Sequence, residues 1–297
     1  MKINSANLEG LRVGFKTNFQ RGLSVTTSDY KRIATVIPSD SGEEKYGWLG
    51  KIPNVREWIG DRLIQNLMEH DYAIKNKDWE LTIGVDRNDI KDDKLKTYGP
   101  LFEEMGQSTG SHADRLSFAI LKLGWANKCY DGQYYFDTNH PVLDEAGNVS
   151  MVANTNGGAG APWFLMCSKR VLKPVIFQER EPWEFVSKDD IRDENVFTKK
   201  QFVYGADARH NVGFGFWQFC YGSKQPLTAA NYDTARTAIM SMKGDYGRPL
   251  GLTPDLLVVS PTLGGAARKL INSENAANGE TNEWRGTAEI FETAWLA

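Results

Sequence analysis

The sequence predicts an α+β fold, with helices and strands interleaved along the chain, and two patterns carry that reading. Leu95, Tyr98, Phe102 and Met105, then Leu116, Ala119, Ile120 and Leu123, recur at helical spacing, which puts apolar groups on one side of a helix. Trp79, Leu81, Ile83 and Val85 instead alternate with Glu80, Thr82 and Gly84, the two-residue period of a strand with one apolar face. The chain has 297 residues, 41% hydrophobic and 25% charged. That is globular composition, long enough for one large domain or two ordinary ones, with a core that needs no staples.

The elements follow in order. Asn4 or Ser5 caps a short helix with Leu8, Leu11 and Phe15 on one face. A polar stretch then leads to an apolar run at Ile33–Ile37. Such sparse apolar residues cannot close a core alone, so residues 1–45 must lie on the body of the chain or on another copy. Residues 46–60 hold Trp48 and Trp58 among glycines and read as loop. Arg62–Met68 forms a strand, His70-Asp71 a turn, and Tyr72–Val85 the return. The resulting ribbon has an apolar face with no spare helix beside it, and two strands alone are marginal in water.

A long element spans 95–124, one kinked helix or two in tandem, with Pro100 in a first turn and Ser111–Asp114 as a capping box. Residues 144–162 read as a polar surface loop. Strands are predicted at Val171–Gln178, Val196–Tyr204 and Val212–Tyr221. In the last, Gly213 and Gly215 leave one bare side on which something must pack closely. Thr228 caps a helix bearing Tyr232, Ala235 and Ile239. Leu256–Val259 is a buried strand between Pro254 and Pro261, Leu263–Ile271 a helix, and Thr287–Thr293 a closing strand.

Charge and motifs exclude several classes. Thirty-five Lys and Arg against 38 Asp and Glu give a net charge of −3, unlike a dedicated nucleic-acid binder. No apolar run reaches the roughly 18 residues of a membrane span, and Met1–Asn7 lacks the apolar segment of a signal peptide. The expectation is a soluble chain made in a cytoplasm, with no membrane partner. Cys129, Cys167 and Cys220 are odd in number and unpaired in spacing, against a disulfide framework or zinc site.

His70, His112, His140 and His210 make neither HExxH nor HxH. Asp137 and His140 have dyad spacing, but a hydrogen-bonded turn explains the same letters and no nucleophile accompanies them. Asp86, Asp89, Asp92 and Asp93 lack the glycine and closing glutamate of a calcium loop and read as capping and solvated charge. No phosphate-binding loop or nucleophile elbow occurs. Trp48, Trp58 and Trp79 suit either sugar stacking or anchoring at a protein interface, and the alternating ribbon around Trp79 favours the second. No catalytic, cofactor-binding or metal-ligating residue is assigned, and no cofactor is expected. The chain reads as structural.

Several stretches together carry a resemblance. They are Tyr46-Gly47-Trp48-Leu49-Gly50-Lys51 with Trp58-Ile59-Gly60, and Cys129-Tyr130-Asp131-Gly132-Gln133 with Phe136-Asp137-Thr138-Asn139-His140-Pro141. Ile176–Arg180, Tyr204–Arg209, Gly213–Gln218 and Gly247–Gly251 with Leu257-Val258-Val259 complete the set. This combination, over nearly the whole chain, resembles the Mu-like major head subunit family (gpT type) of tailed bacteriophages and prophages.

The resemblance implies a major capsid protein of the Hong Kong 97 type fold, self-assembling into pentamers and hexamers of an icosahedral head around DNA. It implies an N-terminal arm at 1–45, an extended E-loop hairpin at 46–86, and a peripheral domain with a spine helix at 87–143. Strands shared between peripheral and axial domains would occupy 144–227, and the axial domain 228–297. A separate scaffolding protein and a portal are implied partners, and the virion is the implied location. Loss of residues 1–45 is then expected to leave a folded body that cannot assemble. The competing readings are a carbohydrate-binding or carbohydrate-processing β-rich protein, marked by a carboxylate pair in a cleft and a ribbon packed on its own domain, and a decoration or connector subunit.

Overall fold

The computed structural model describes residues 2–49, 71–92, 97–276 and 279–297. Helix α1 (Ser5–Val25) is followed by strands β1 (Ala34–Pro38), β2 (Glu43–Lys45), β3 (Ala73–Lys75) and β4 (Lys77–Asp86). Helices α2 (Arg87–Lys91), α3 (Tyr98–Gly110) and α4 (His112–Lys122) come next, then β5 (His140–Leu143), β6 (Val149–Val152), β7 (Thr155–Gly158) and β8 (Trp163–Met166). The chain continues through β9 (Val175–Lys188), α5 (Glu194–Lys199), β10 (Gln201–Phe214), β11 (Cys220–Lys224) and α6 (Ala229–Met240). It closes with β12 (Lys243–Gly244), β13 (Arg248–Pro249), β14 (Leu256–Val259), α7 (Gly264–Asn272) and β15 (Glu289–Glu292).

Two sheets organise these elements. The first has the order β1-β9-β10-β4, with β1 parallel to β9 and β10 antiparallel to both its neighbours. The second has the order β15-β14-β8-β11-β7, with β8 antiparallel to β14 and β11. Every residue of β8 and β14 is buried, as expected of short apolar runs in the middle of a covered sheet. Helices α6 and α7 lie against this sheet. One core surrounds it; the second core lies between the first sheet and helices α1 and α3, around Phe15, Phe19, Phe102, Met105 and Tyr204.

Helix α1 starts where Asn4 accepts the N–H of Asn7 at 2.8 Å, one of the two predicted caps. It is longer than expected and runs through Gly22. The reason is its partner. A Cβ on Gly22 would fall on the carbonyl of Glu103, and one on Gly106 would fall on the carbonyl of Phe19. Two glycines thus let the α1 and α3 backbones touch, and Phe15 stacks on Phe102 at 4.2 Å. The N-terminal segment therefore lies on the body of its own chain.

The apolar ribbon is also differently placed. Strand β4 pairs along its whole length with β10, from Asp86 opposite Gln201 to Lys77 opposite His210. Its Leu81, Ile83 and Val85 face the core under the helices, so the face expected to be uncovered is covered by α1 and α3. The predicted strand Arg62–Met68, His70 and Trp58 lie outside the described residues, as do Asp93 and Leu95. Because β4 packs within its own domain, it does not behave as the projecting half of a ribbon. Sequence periodicity identified the strand but not its distant partner.

Other boundaries shift for local reasons. The 95–124 element is two helices, but Ser111 makes no capping bond to α4, its hydroxyl donating to Ser108 O instead. Asp114 turns away and accepts from Ser28 Oγ, Asp29 N and Tyr30 N at 2.9, 2.9 and 2.6 Å. The polar 144–162 stretch contains β6 and β7 rather than loop alone. The strand expected at Val171 begins at Val175, and the one expected at Val196 is interrupted by α5, which ends with Lys200 at φ 55°. The strand predicted over Val212–Tyr221 is broken by a helical turn at Trp217–Phe219. The bare side at Gly213 is filled as expected, by Ile74 and Tyr72.

Candidate functional site

The buried polar residues show what chemistry the fold assembles. Asp137 and His140 do not form a dyad. Asp137 Oδ1 accepts the N–H groups of Thr138 and Asn139 at 2.7 and 3.1 Å, closing a turn. His140, at the start of β5, instead places Nδ1 2.6 Å from Asp131 Oδ2 and Nε2 3.2 Å from Asn154 Oδ1. Its ring lies flat on Trp217, centroids 3.9 Å apart. The Cys129 thiol donates to Asp131 Oδ1 at 3.1 Å.

These three side chains are the described ones whose ligand atoms gather within 4.8 Å of one another. Burial, reinforced by the Asp131 carboxylate, pushes the Cys129 thiol up and keeps it a neutral donor. Burial pushes Asp131 up as well, but hydrogen bonds and the charge interaction with His140 outweigh it and hold the carboxyl low. A nucleophilic cysteine needs an exposed, stabilised thiolate, and Cys129 has neither property. The cluster is a hydrogen-bonded clamp.

Asn154 is the centre of that clamp and sequence reasoning missed it. Its amide nitrogen donates to Tyr135 O at 2.8 Å, with Cys220 O at 3.3 Å and Trp217 O at 3.4 Å. Its oxygen accepts from Asp137 N at 3.0 Å. One wholly buried side chain thus ties together backbone from two segments remote in sequence, 135–137 and 217–220. No local pattern announces it, since its partners are distant in sequence. Asn154→Ala is expected to strand several buried groups and cost about 2–4 kcal/mol, read as a fall in thermal unfolding midpoint with no change in far-ultraviolet circular dichroism at low temperature.

A second buried pair joins helix to sheet. His112, the first residue of α4, has Nδ1 2.9 Å from Nε2 of His210 on β10. Trp79 packs edge-on to His112 at 4.4 Å and donates its indole N–H to His210 O at 2.9 Å. Burial lowers both imidazoles to about 4. Trp48 packs on Tyr46 and Phe216. Both tryptophans are half-buried and pack on their own chain.

The surface completes the picture. A groove of about 640 Å³ runs between the β5–β6 hairpin and α6, with Asp144 and Glu145 on its wall. Both acids are committed elsewhere. Asp144 Oδ1 accepts from Ala146 N and Asn148 N at 2.9 and 2.8 Å, and Glu145 lies 3.6 Å from Lys243. The groove therefore lacks the free carboxylate pair that glycoside chemistry requires. Asp86 caps α2 by accepting Asn88 N, and Asp89 accepts from Tyr98, as the capping reading of the acidic run expects. Large apolar side chains stand exposed, Phe197 at 88% among them.

The described residues thus present buried hydrogen-bonded clusters and exposed aromatic side chains. Residues 8–296 match the family described as Mu-like prophage major head subunit gpT, and the chain belongs to that family. It is 39% identical over 305 residues to the major capsid protein of Escherichia phage Mu, covering 100% of both chains. It is 42% identical over 274 residues to the Mu-like prophage FluMu major head subunit of Haemophilus influenzae, covering 90% of this chain and 89% of that one.

Among solved structures, it is similar to the procapsid of bacteriophage JBD30, with TM-score 0.88 and 43% identity over 99% of this chain and 100% of that one. The JBD30 capsid matches with TM-score 0.77 and 34% identity over 100% of both. The chain is thus a major capsid protein of the Mu-like type with the Hong Kong 97 fold.

Proposed function

We propose that this chain assembles with copies of itself into the pentamers and hexamers of an icosahedral head that encloses DNA, and that it catalyses no reaction. The observation that carries this reading is full-length likeness, in sequence and in three dimensions, to subunits of phage shells. Closed shells arise from heterologous contacts that return on themselves, with buried areas of the obligate class, on the order of 2,000–5,000 Å². A net charge of −3 suits a wall that confines DNA without gripping it. A scaffolding protein and a portal would be its partners, the virion its destination and the host cytoplasm its place of assembly. The arm (1–45), E-loop (46–86), peripheral (87–143), shared (144–227) and axial (228–297) divisions are part of the same proposal, with the projecting part of the E-loop ending before β4, which belongs to the first sheet.

Electron microscopy of the purified chain, with and without a co-expressed scaffold, tests it. Capsomers, tubes or shells are the expected outcome. Monodisperse single copies in both preparations would overturn the reading. Deletion of residues 1–45 is not a clean test of the arm, contrary to the sequence expectation, because it removes β1 from the first sheet and Phe15 and Phe19 from its core.

A further inference from the structure

The long β9–β10 pair ends in a tip whose shape is fixed. Asn195 Nδ2 donates to Gln201 O at 2.7 Å and to Lys188 O at 3.3 Å, bridging the two strands, and Val196 is buried beneath. On this turn Phe197 is 88% exposed. Lys200, the exposed residue that ends this short helix, sits at φ 55°, where glycine rests without strain. Strain of this kind is tolerated where a side chain has a task. Among the described residues, neither Lys199 nor Lys200 has an ion-pair partner.

The outward face of the same sheet is the chemical complement. Asp207 on β10 lies directly opposite Glu184 on β9 and Glu80 on β4, so three exposed carboxylates stand abreast. Like charges opposite one another destabilise a sheet. The next row is Val186, Gly205 and Thr82. Val186 is 45% exposed and, with Thr82, covers the buried Gly205. The face thus offers an exposed valine edged by a row of acid, and the tip offers an exposed aromatic ring and unpaired lysines on one short turn.

We propose that the α5 tip of one copy docks on this outward sheet face of a second copy, Phe197 seating against Val186 and Lys200 meeting the Glu184–Asp207–Glu80 row. The inference rests on the shell-subunit reading and names one contact within it. DNA is the wrong occupant for an acidic face. A lone cation would leave Phe197 unused. Because donor and acceptor surfaces are different patches of one chain, the contact is heterologous, the kind from which rings and shells are built. The rigid tip loses little freedom on docking.

The test uses the full chain with its scaffold and scores particles by electron microscopy and sedimentation. Phe197→Ser, Lys200→Glu and Asp207→Lys should each reduce assembled protein about tenfold or more, while thermal unfolding of the first two stays at the parental value and that of Asp207→Lys does not fall, because its new charge relieves the repulsion within the row. The combined variant Lys200→Glu with Glu184→Lys and Asp207→Lys, which turns the row net positive opposite a negative tip in every copy, should recover most of the assembly. Single variants that assemble like the parent, or a combined variant no better than Lys200→Glu alone, overturn the contact while leaving the shell reading intact. A parent chain that forms no particles overturns both.

Discussion

Gly106→Val is expected to destabilise the protein by about 3 kcal/mol or more, at the upper end of overpacking penalties. The penalty is large because the obstruction is backbone. A side chain at Gly106 meets the carbonyl of Phe19 and the amide of Leu23, and neither can rotate away. Helix α1 must lift from α3, and the stacked Phe15–Phe102 pair and Phe19 lose their packing together. Gly22→Val acts from the other side of the same crossing. Urea unfolding followed by circular dichroism reads the loss, and proteolysis within α1 should accelerate in step. Gly10 and Gly14 supply the contrast, since nothing lies within 4 Å of a Cβ at either. Alanine there should raise stability by about 0.5–1 kcal/mol through helix propensity. A neutral Gly106→Val would mean that α1 does not seat on α3 in solution.

Acidification is expected to weaken the first sheet between about pH 6.5 and pH 4. His112 and His210 ionise near 4 in the fold because burial disfavours their charged forms, with Arg115 adding repulsion at His112 and His112 adding repulsion at His210. The unfolded chain takes up these protons near 6.5. Over that interval the unfolded state binds more protons, so stability is complete above 6.5 and falls as the pH drops toward 4. The pair loses on the order of 3 kcal/mol, a figure below the sum of two independent sites because the imidazoles share one contact. Unfolding midpoints measured at closely spaced pH values should show the slope. The variant His112→Gln with His210→Gln should flatten it, whatever its stability at neutral pH. An unchanged slope in that variant would assign the acid sensitivity elsewhere.

These two features differ in how far sequence could reach them. Elements closed by neighbouring residues were legible: Thr228 accepts Asn231 N as a cap should, and Leu256–Val259 is the buried strand its flanking prolines suggest. Contacts between remote segments were not. The spacing that revealed β4 carries no information that its partner is β10, and His112 meets His210 through tertiary packing alone. His140 pairs with Asp131, while the Asp137 carboxylate is taken by the Thr138 and Asn139 amides of its own turn. The family resemblance supplied the fold where periodicity could not, yet it gave no hint of Asn154. The commitment of Asp144 and Glu145 to a turn and a lysine required coordinates.

The pairing of β4 with β10 also bears on how the chain is made. A ribosome adding roughly 5–20 residues per second delivers β4 many seconds before its partner strand exists. Through that interval Trp79, Leu81, Ile83 and Val85 wait without a ladder. At the high expression a shell demands, nascent copies would meet through these edges and aggregate unless something shields them. Folding yield should therefore depend on chaperone supply and on slower growth temperature more steeply than the finished molecule's stability would suggest.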